Sequence, residues 1–258
     1  MEKKISRGYF IGGLLFALIL IISVIKGDML LKQLLSEDDM LPVRAVQIDG
    51  ALQQLTRKQI ADLTGRVCAG ENIATLDLSL LHKTLMSEPW VAEVAIKKKM
   101  PDTLVISLVE HVPAAYWNEK GFYDAKTESV FYPKNNIFSA PLVRLGAERD
   151  NLAKEVYDNA VLFIHLMQGS PYQMYALYLD KVHSYILTLN NKTKTRLILG
   201  RGRNASVVRL KRFLKAFPHT GLDLDDVAYV DLRYDVGFAV GKVENSGDNK
   251  NGAVPKKQ

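Results

Sequence analysis

The sequence predicts an α+β protein in which one N-terminal membrane-spanning helix precedes two exported domains. Three observations lead to this prediction: an uncharged apolar run at residues 8–25, a β-α-α-β-β order of elements after it, and a strand-rich pattern in the remainder. The length of 258 residues suits one or two domains, and the 48% of hydrophobic residues excludes a fully disordered chain. A mean hydropathy of −0.02 fits one apolar segment attached to a soluble body.

The apolar run from Gly8 to Ile25 is predicted to cross a membrane. Its 18 residues would rise about 27 Å as a helix, close to a hydrocarbon core of roughly 30 Å. Three of the seven residues before the run are basic and one is acidic, which predicts a cytoplasmic N-terminus. A cleaved signal peptide is the alternative, but the residues after Ile25 form a poor cleavage site. We therefore predict a cytoplasmic segment at residues 1–7, a transmembrane helix at 8–27, a juxtamembrane linker at 28–40 and a remainder outside the cytoplasm. In a bacterium that space is the periplasm or the outer face of the cell.

A small α+β domain is predicted for residues 41–112. Thr56 and Gln59 have the spacing of a capping box, so a helix should begin after Thr56 and run through Leu63, with Gly65 as its stop signal. The other expected elements are a strand at Val43–Ile48, a second amphipathic helix after Leu76, and strands at Val91–Met100 and Thr103–His111.

Residues 113–244 are predicted to form a β-rich domain with an antiparallel sheet and two helices. The helices should cover about Asn151–Met167 and Ala205–Phe217, where apolar residues recur at helical spacing. The candidate strands are Ala114–Trp117, Gly121–Asp124, Val130–Tyr132, Met174–Asp180, Tyr185–Leu189, Thr195–Leu199, Ala228–Arg233 and Gly237–Lys242. The tail at 245–258 is polar and aperiodic, which predicts disorder.

The sequence contains no motif that predicts catalysis, a cofactor or a metal. The five histidines share no ligand spacing, and the lone Cys68 can neither close an intramolecular disulfide nor supply a cysteine-based zinc site. The one Ser-x-x-Lys, Ser23–Lys26, lies at the end of the predicted anchor, where no transpeptidase site could be built. We therefore expect no enzyme activity, no cofactor, no metal and no small-molecule substrate.

Two features remain that fit binding to another molecule. The stretch Lys192–Lys215 holds nine basic residues and no acid, which fits either a surface for an acidic partner or a solvated helix face beside a basic hairpin. Because this stretch should lie outside the cytoplasm, we expect no nucleic acid as a partner. The segment Tyr229–Gly241 predicts a terminal hairpin whose last strand either leaves an edge open for a strand from another chain or simply closes the sheet.

Several motifs together resemble the FtsQ/DivIB family of bacterial cell-division proteins. They are Glu88–Leu104 with its Pro-Trp…Pro-Asp-x-Leu pattern, Val109–Trp117, Leu187–Asn191, Leu199–Gly202 and Tyr229–Tyr234. The resemblance implies that residues 41–112 are a POTRA domain, a module for protein contacts, and that residues 113–244 are an FtsQ-type β domain. It further implies an inner-membrane scaffold at the division site that binds FtsB, FtsL and other divisome proteins and helps control septal cell-wall synthesis.

The same resemblance places five residues in the segment that binds FtsB by strand addition: Arg233, Tyr234, Val236, Gly237 and Gly241. It implies that Arg233 pairs with a partner carboxylate and that Tyr234 is a buried anchor. Val236 and Lys242 depart from the family pattern, which has a small polar residue and an aromatic residue there. A POTRA-containing component of protein export and a signal-anchored envelope enzyme are the alternative functions.

Overall fold

The computed structural model describes residues 16–24, 26–27, 41–134 and 138–243. Residues 16–24 and 26–27 are helical, and their large apolar side chains are exposed. Within the described part of the chain, no helix combines the length and the apolar character that a membrane crossing needs. The predicted cytoplasmic segment, the linker at 28–40, the tail at 245–258 and residues 8–15 of the predicted span lie outside the described residues, so those expectations remain predictions.

The first of two compact units ends at Glu110 and has the predicted β-α-α-β-β order. Its elements are β1 (Ala45–Asp49), α1 (Arg57–Cys68), α2 (Leu78–Met86), β2 (Val91–Lys99) and β3 (Thr103–Glu110). The central strand β3 pairs in parallel with β1 and antiparallel with β2. Ile60 of α1, Leu81 of α2 and Leu104 of β3 are fully buried, so the two helices and the sheet share one apolar core.

Helix α1 begins where the sequence predicts but ends later. The Thr56 hydroxyl accepts a hydrogen bond from the backbone N–H of Gln59, and the Gln59 side chain accepts one from the backbone N–H of Thr56, which confirms the capping box. The prediction that the helix stops at Gly65 is wrong, because it continues to Cys68. Ile60, Thr64 and Cys68 are buried at a spacing of four residues. Burial of this face outweighs the cost of a glycine within a helix, about 1 kcal/mol.

The second compact unit begins at His111, and its described strands form one nine-stranded sheet. The elements are β4 (Pro113–Trp117), β5 (Gly121–Asp124), β6 (Ser129–Phe131), β7 (Arg144–Ala147), α3 (Ala153–Met167), β8 (Met174–Leu179), β9 (Ser184–Leu189), β10 (Arg196–Arg201), α4 (Arg203–Ala216), β11 (Val227–Asp231) and β12 (Ala239–Lys242). The strand order is β12-β11-β10-β9-β8-β7-β4-β5-β6. Both predicted helices are confirmed, each within two residues of its expected limits.

This sheet is mixed, so the prediction of an antiparallel sheet is wrong. β4 pairs in parallel with β7, β7 with β8, and β10 with β11. Parallel neighbours need a crossover, and α3 and α4 are the crossovers that join β7 to β8 and β10 to β11. The short strand β7 is absent from the predicted strands because Arg-Leu-Gly-Ala has neither clear alternation nor a β-branched residue.

One hydrophobic cluster joins α3 and α4 to the sheet. Leu197 and Leu199 of β10 are fully buried, whereas Ile198 between them is only partly buried, so one face of the strand packs on the core. Phe163 of α3 and Phe213 of α4 are fully buried in the same cluster. The core therefore holds α4 against the end of the sheet that carries β10, β11 and β12.

Candidate functional site: the open edge at β12

Strand β12 lies at one end of the nine-stranded sheet. Residues Ala239–Lys242 pair antiparallel with β11, and among the described residues no strand pairs with the other side of β12. Such an edge presents backbone N–H and C=O groups that can pair with an added strand. The terminal hairpin expected from the sequence is therefore present, and it leaves an edge open. The opposite end of the sheet is the three-residue strand β6.

The five residues predicted to bind a partner lie together in this hairpin. Tyr234 and Val236 are in the loop before β12, where they are 56% and 93% exposed. Gly237 has a φ of +77°, a left-handed conformation that glycine adopts without strain, and Gly241 lies within β12. The loop thus places an aromatic and an aliphatic side chain in solvent beside a strand edge. Contact of these residues with a partner remains a prediction.

Arg233 already has a carboxylate partner within its own chain. Its Nε donates to Asp231 Oδ1 at 2.9 Å and its Nη2 to Asp231 Oδ2 at 2.7 Å, a bidentate pair. Together with a bond from the Arg233 backbone N–H, this pair holds the pKa of Asp231 below its ordinary value, while Asp231 itself is buried. The Arg233 side chain remains 59% exposed. A partner carboxylate would therefore bind a guanidinium group that Asp231 already holds in one orientation.

Gly241 is required by a close approach within the hairpin. A Cβ at this position would lie 2.1 Å from Cε1 and 2.5 Å from Cζ of Tyr229, which is opposite Gly241 on β11. The tyrosine ring therefore lies over the glycine, and any side chain at position 241 would displace it. This role of Tyr229 was not predictable from the sequence, because only the strand register brings the two residues together.

Two arginines of α4 contact the same loop, and sequence reasoning missed them as well. Arg212 donates to the backbone carbonyls of Leu232, Tyr234 and Asp235. Arg209 reaches the carbonyl of Arg233 in the loop at 3.4 Å and also donates to that of Leu199 in β10. Both belong to the acid-free stretch Lys192–Lys215. The acid-free stretch was the sequence signal for these contacts, since arginines without a nearby carboxylate need other hydrogen-bond acceptors.

Titratable side chains in the second unit connect elements of the fold by hydrogen bonds. Tyr185 of β9 donates to Glu155 of α3 at 2.5 Å, and burial together with this bond raises the pKa of Tyr185. Asp150 accepts from Trp117 Nε1 and from the Tyr132 hydroxyl, and burial with the latter bond raises the pKa of Tyr132 to about 12. Groups protonated so firmly at neutral pH are poor general bases.

Cys68 and clusters of metal-ligating side chains are two further candidates for chemistry. Burial raises the pKa of the Cys68 thiol, which disfavours the reactive thiolate. In the described ranges, no cluster of three or more histidine, cysteine, aspartate or glutamate side chains has a geometry that could hold a metal ion. The open edge at β12 is therefore the feature that most favours a function.

Comparisons with known proteins support the family resemblance that the sequence motifs indicate. Residues 41–111 match the family model described as POTRA domain, FtsQ-type. The chain is 27% identical to cell division protein FtsQ of Aliivibrio fischeri, over 84% of this chain and 82% of that protein. It is 29% identical to FtsQ of Shewanella oneidensis, over 93% and 89% of the two chains, and 26% identical to FtsQ of Escherichia coli, over 93% and 87%. The resemblance seen in the sequence is thus confirmed: the chain contains an FtsQ-type POTRA domain and is similar to FtsQ proteins along most of its length.

Proposed function

We propose that this chain, which resembles the FtsQ/DivIB family along most of its length, is a non-enzymatic scaffold of the bacterial division machinery. In this proposal residues 8–25 anchor it in the inner membrane, with the N-terminus in the cytoplasm and the bulk of the chain in the periplasm at the division site. The periplasmic part, with a POTRA domain at 41–112 and a β domain at 113–244, binds FtsB and FtsL. It thereby links early and late division proteins and helps control septal cell-wall synthesis.

The observation that best supports this proposal is the combination of an unpaired edge with exposed apolar side chains. Backbone pairing along β12 would supply affinity for an added strand, and alternate side chains of that strand would supply specificity. Tyr234 and Val236 are largely exposed in the free chain. Apolar side chains gathered beside an open edge are typical of a surface that a partner covers. FtsB is the partner that we assign to this edge, and Arg233 would then bind one of its carboxylates.

Cysteine cross-linking tests the assignment of FtsB to this edge. We would replace Ala239 with cysteine in a Cys68→Ser background and pair it with FtsB carrying single cysteines along its periplasmic part. Strand addition predicts disulfides at every second FtsB position in a short segment, because side chains alternate between the faces of a strand. Ser129→Cys on β6, the opposite edge of the sheet, is the matched control and should give none. Cross-links from β6 alone, or none while the two proteins co-purify, would contradict the assignment.

The role in division is tested in cells. A fluorescent protein fused to the N-terminus should produce a band at the division site. A diffuse envelope signal from a stable fusion would contradict the scaffold function, whatever the cross-links show.

A further inference from the structure

The guanidinium group of Arg212 holds the loop that precedes the open strand. Its Nη2 donates to the carbonyls of Leu232 at 2.8 Å and Tyr234 at 2.6 Å, and its Nη1 donates to that of Asp235 at 2.6 Å. Three carbonyl oxygens within four residues thus converge on one side chain from another element. An arginine suits this task because it presents several N–H donors in a fixed planar fork, whereas a lysine is a single flexible point charge.

Arg209, one helical turn earlier on α4, makes a related but weaker contact. Its Nη1 donates to the Leu199 carbonyl at 2.8 Å, and its Nη2 reaches the Arg233 carbonyl only at 3.4 Å. Gly200 leaves room for this side chain, since a Cβ there would lie 2.8 Å from Arg209 Nη1 and 3.0 Å from Cγ of Arg233. The β10 strand, α4 and the loop are therefore fitted together around two arginines.

These bonds act where the strand ladder offers little support. After β11 ends at Asp231, the chain leaves the sheet until β12 begins at Ala239. Carbonyl groups in such a loop need hydrogen-bond donors outside the ladder, from side chains or water. Arg212 Nε is buried and has no hydrogen-bond partner. Because an unpaired buried N–H destabilises the fold, the three bonds from the other nitrogens must outweigh that cost.

We propose that Arg212, assisted by Arg209, is a positioning residue for strand addition at β12. By fixing the backbone of Leu232–Asp235, it sets the register of β12 against β11 and the direction in which Tyr234 leaves the loop. A partner strand then meets an edge that is already ordered, so less conformational entropy is lost on binding. This inference rests on the proposed function and deepens it. It gives two residues of the acid-free stretch Lys192–Lys215 a role, because Arg209 and Arg212 order the edge that the partner strand joins.

The test compares Arg212→Gln with Lys211→Gln in the full-length chain. Lys211 is exposed on the same helix, so its replacement removes the same charge without touching the loop. We expect Arg212→Gln to speed amide hydrogen exchange in residues 232–242 about tenfold and to raise the Kd for purified FtsB about tenfold, because an ordered edge is lost. Exchange in α3 and β8 should stay unchanged, and Lys211→Gln should match the wild type in both measurements.

A conservative variant separates geometry from charge. Arg212→Lys keeps the charge but loses the planar fork, so it should behave like Arg212→Gln. Wild-type hydrogen exchange and wild-type FtsB affinity in Arg212→Lys would overturn the inference. Unchanged exchange in residues 232–242 of Arg212→Gln would overturn it as well. So would wild-type FtsB affinity in Arg212→Gln when exchange in the loop is faster. If Arg212→Gln does not fold, Arg209→Gln should produce the same two effects at smaller size, and their absence would likewise overturn the inference.

The proposed function and the positioning role can fail separately. In the wild-type chain, FtsB should slow hydrogen exchange in β12 and leave β6 unchanged. Absence of that protection would remove the assignment of FtsB to this edge. The exchange rates of the free variants would still decide whether Arg212 orders the loop.

Discussion

Replacing Tyr234 with alanine is expected to weaken FtsB binding by roughly 30- to 100-fold. An aromatic side chain buries about 150–250 Å² when fully covered, and 56% of Tyr234 is exposed in the free chain. A partner could therefore cover roughly 110 Å², which at about 25 cal/mol per Å² corresponds to roughly 2–3 kcal/mol. Because each 1.4 kcal/mol is about a factor of ten, the expected change in Kd follows.

Binding should be measured by biolayer interferometry between the full-length chain and purified FtsB. Tyr178→Ala is the matched control, since Tyr178 is 43% exposed but lies on β8, four strands from the open edge. Thermal unfolding should change little in Tyr234→Ala, because a side chain this exposed makes few core contacts. An unchanged Kd in Tyr234→Ala, or an equal loss of affinity in Tyr178→Ala, would contradict the assignment of Tyr234 to the FtsB contact.

Three further predictions concern stability. Gly241→Ala should lower the free energy of unfolding by about 1–2 kcal/mol in urea titrations, because the new Cβ collides with the Tyr229 ring; an unchanged midpoint would show that the ring moves aside freely. Gly65→Ala should instead raise it by about 0.5–1 kcal/mol, since this glycine lies within α1 and, apart from its chain neighbours and the backbone of the helix itself, no atom lies within 4 Å of the added Cβ; a decrease would contradict that packing. Asp231→Asn should destabilise the protein at pH 7, because the pair with Arg233 lowers the pKa of Asp231 in the folded state. That stabilisation is present above the unfolded pKa of about 3.9 and is lost as the pH falls through the folded pKa. The difference in the free energy of unfolding between the wild type and Asp231→Asn should therefore disappear in acid. A difference that persists in acid would contradict a stabilising pair between Asp231 and Arg233.

Local features of the fold were predictable from neighbouring residues. The capping box joins Thr56 to Gln59, three residues apart, and its geometry depends on little beyond the helix itself. The helices α3 and α4 were predictable for the same reason, since the apolar periodicity of each covers about four turns.

Strand direction was harder to predict because it depends on which strands become neighbours. The alternation of side chains is the same in parallel and antiparallel pairs, so the pattern along β10 says nothing about β11. The position of a helix between them did contain the information, because a crossover of that length permits neighbouring strands to run in parallel. The mixed sheet was thus inferable in principle from the order of elements, although β7 was too short to be recognised.

The candidate site likewise combines local features that the sequence predicts with long-range contacts that it does not. The order of residues alone predicts a short hairpin after α4 that contains Tyr234 and Val236, and a strongly basic stretch before it. The position of β12 at the end of the described sheet depends on tertiary contacts, and so do the hydrogen bonds of Arg212 to the carbonyls of residues 20 to 23 positions later. Periodicity and spacing report contacts within a few turns or one strand, whereas these contacts arise because the core packs α4 against one end of the sheet.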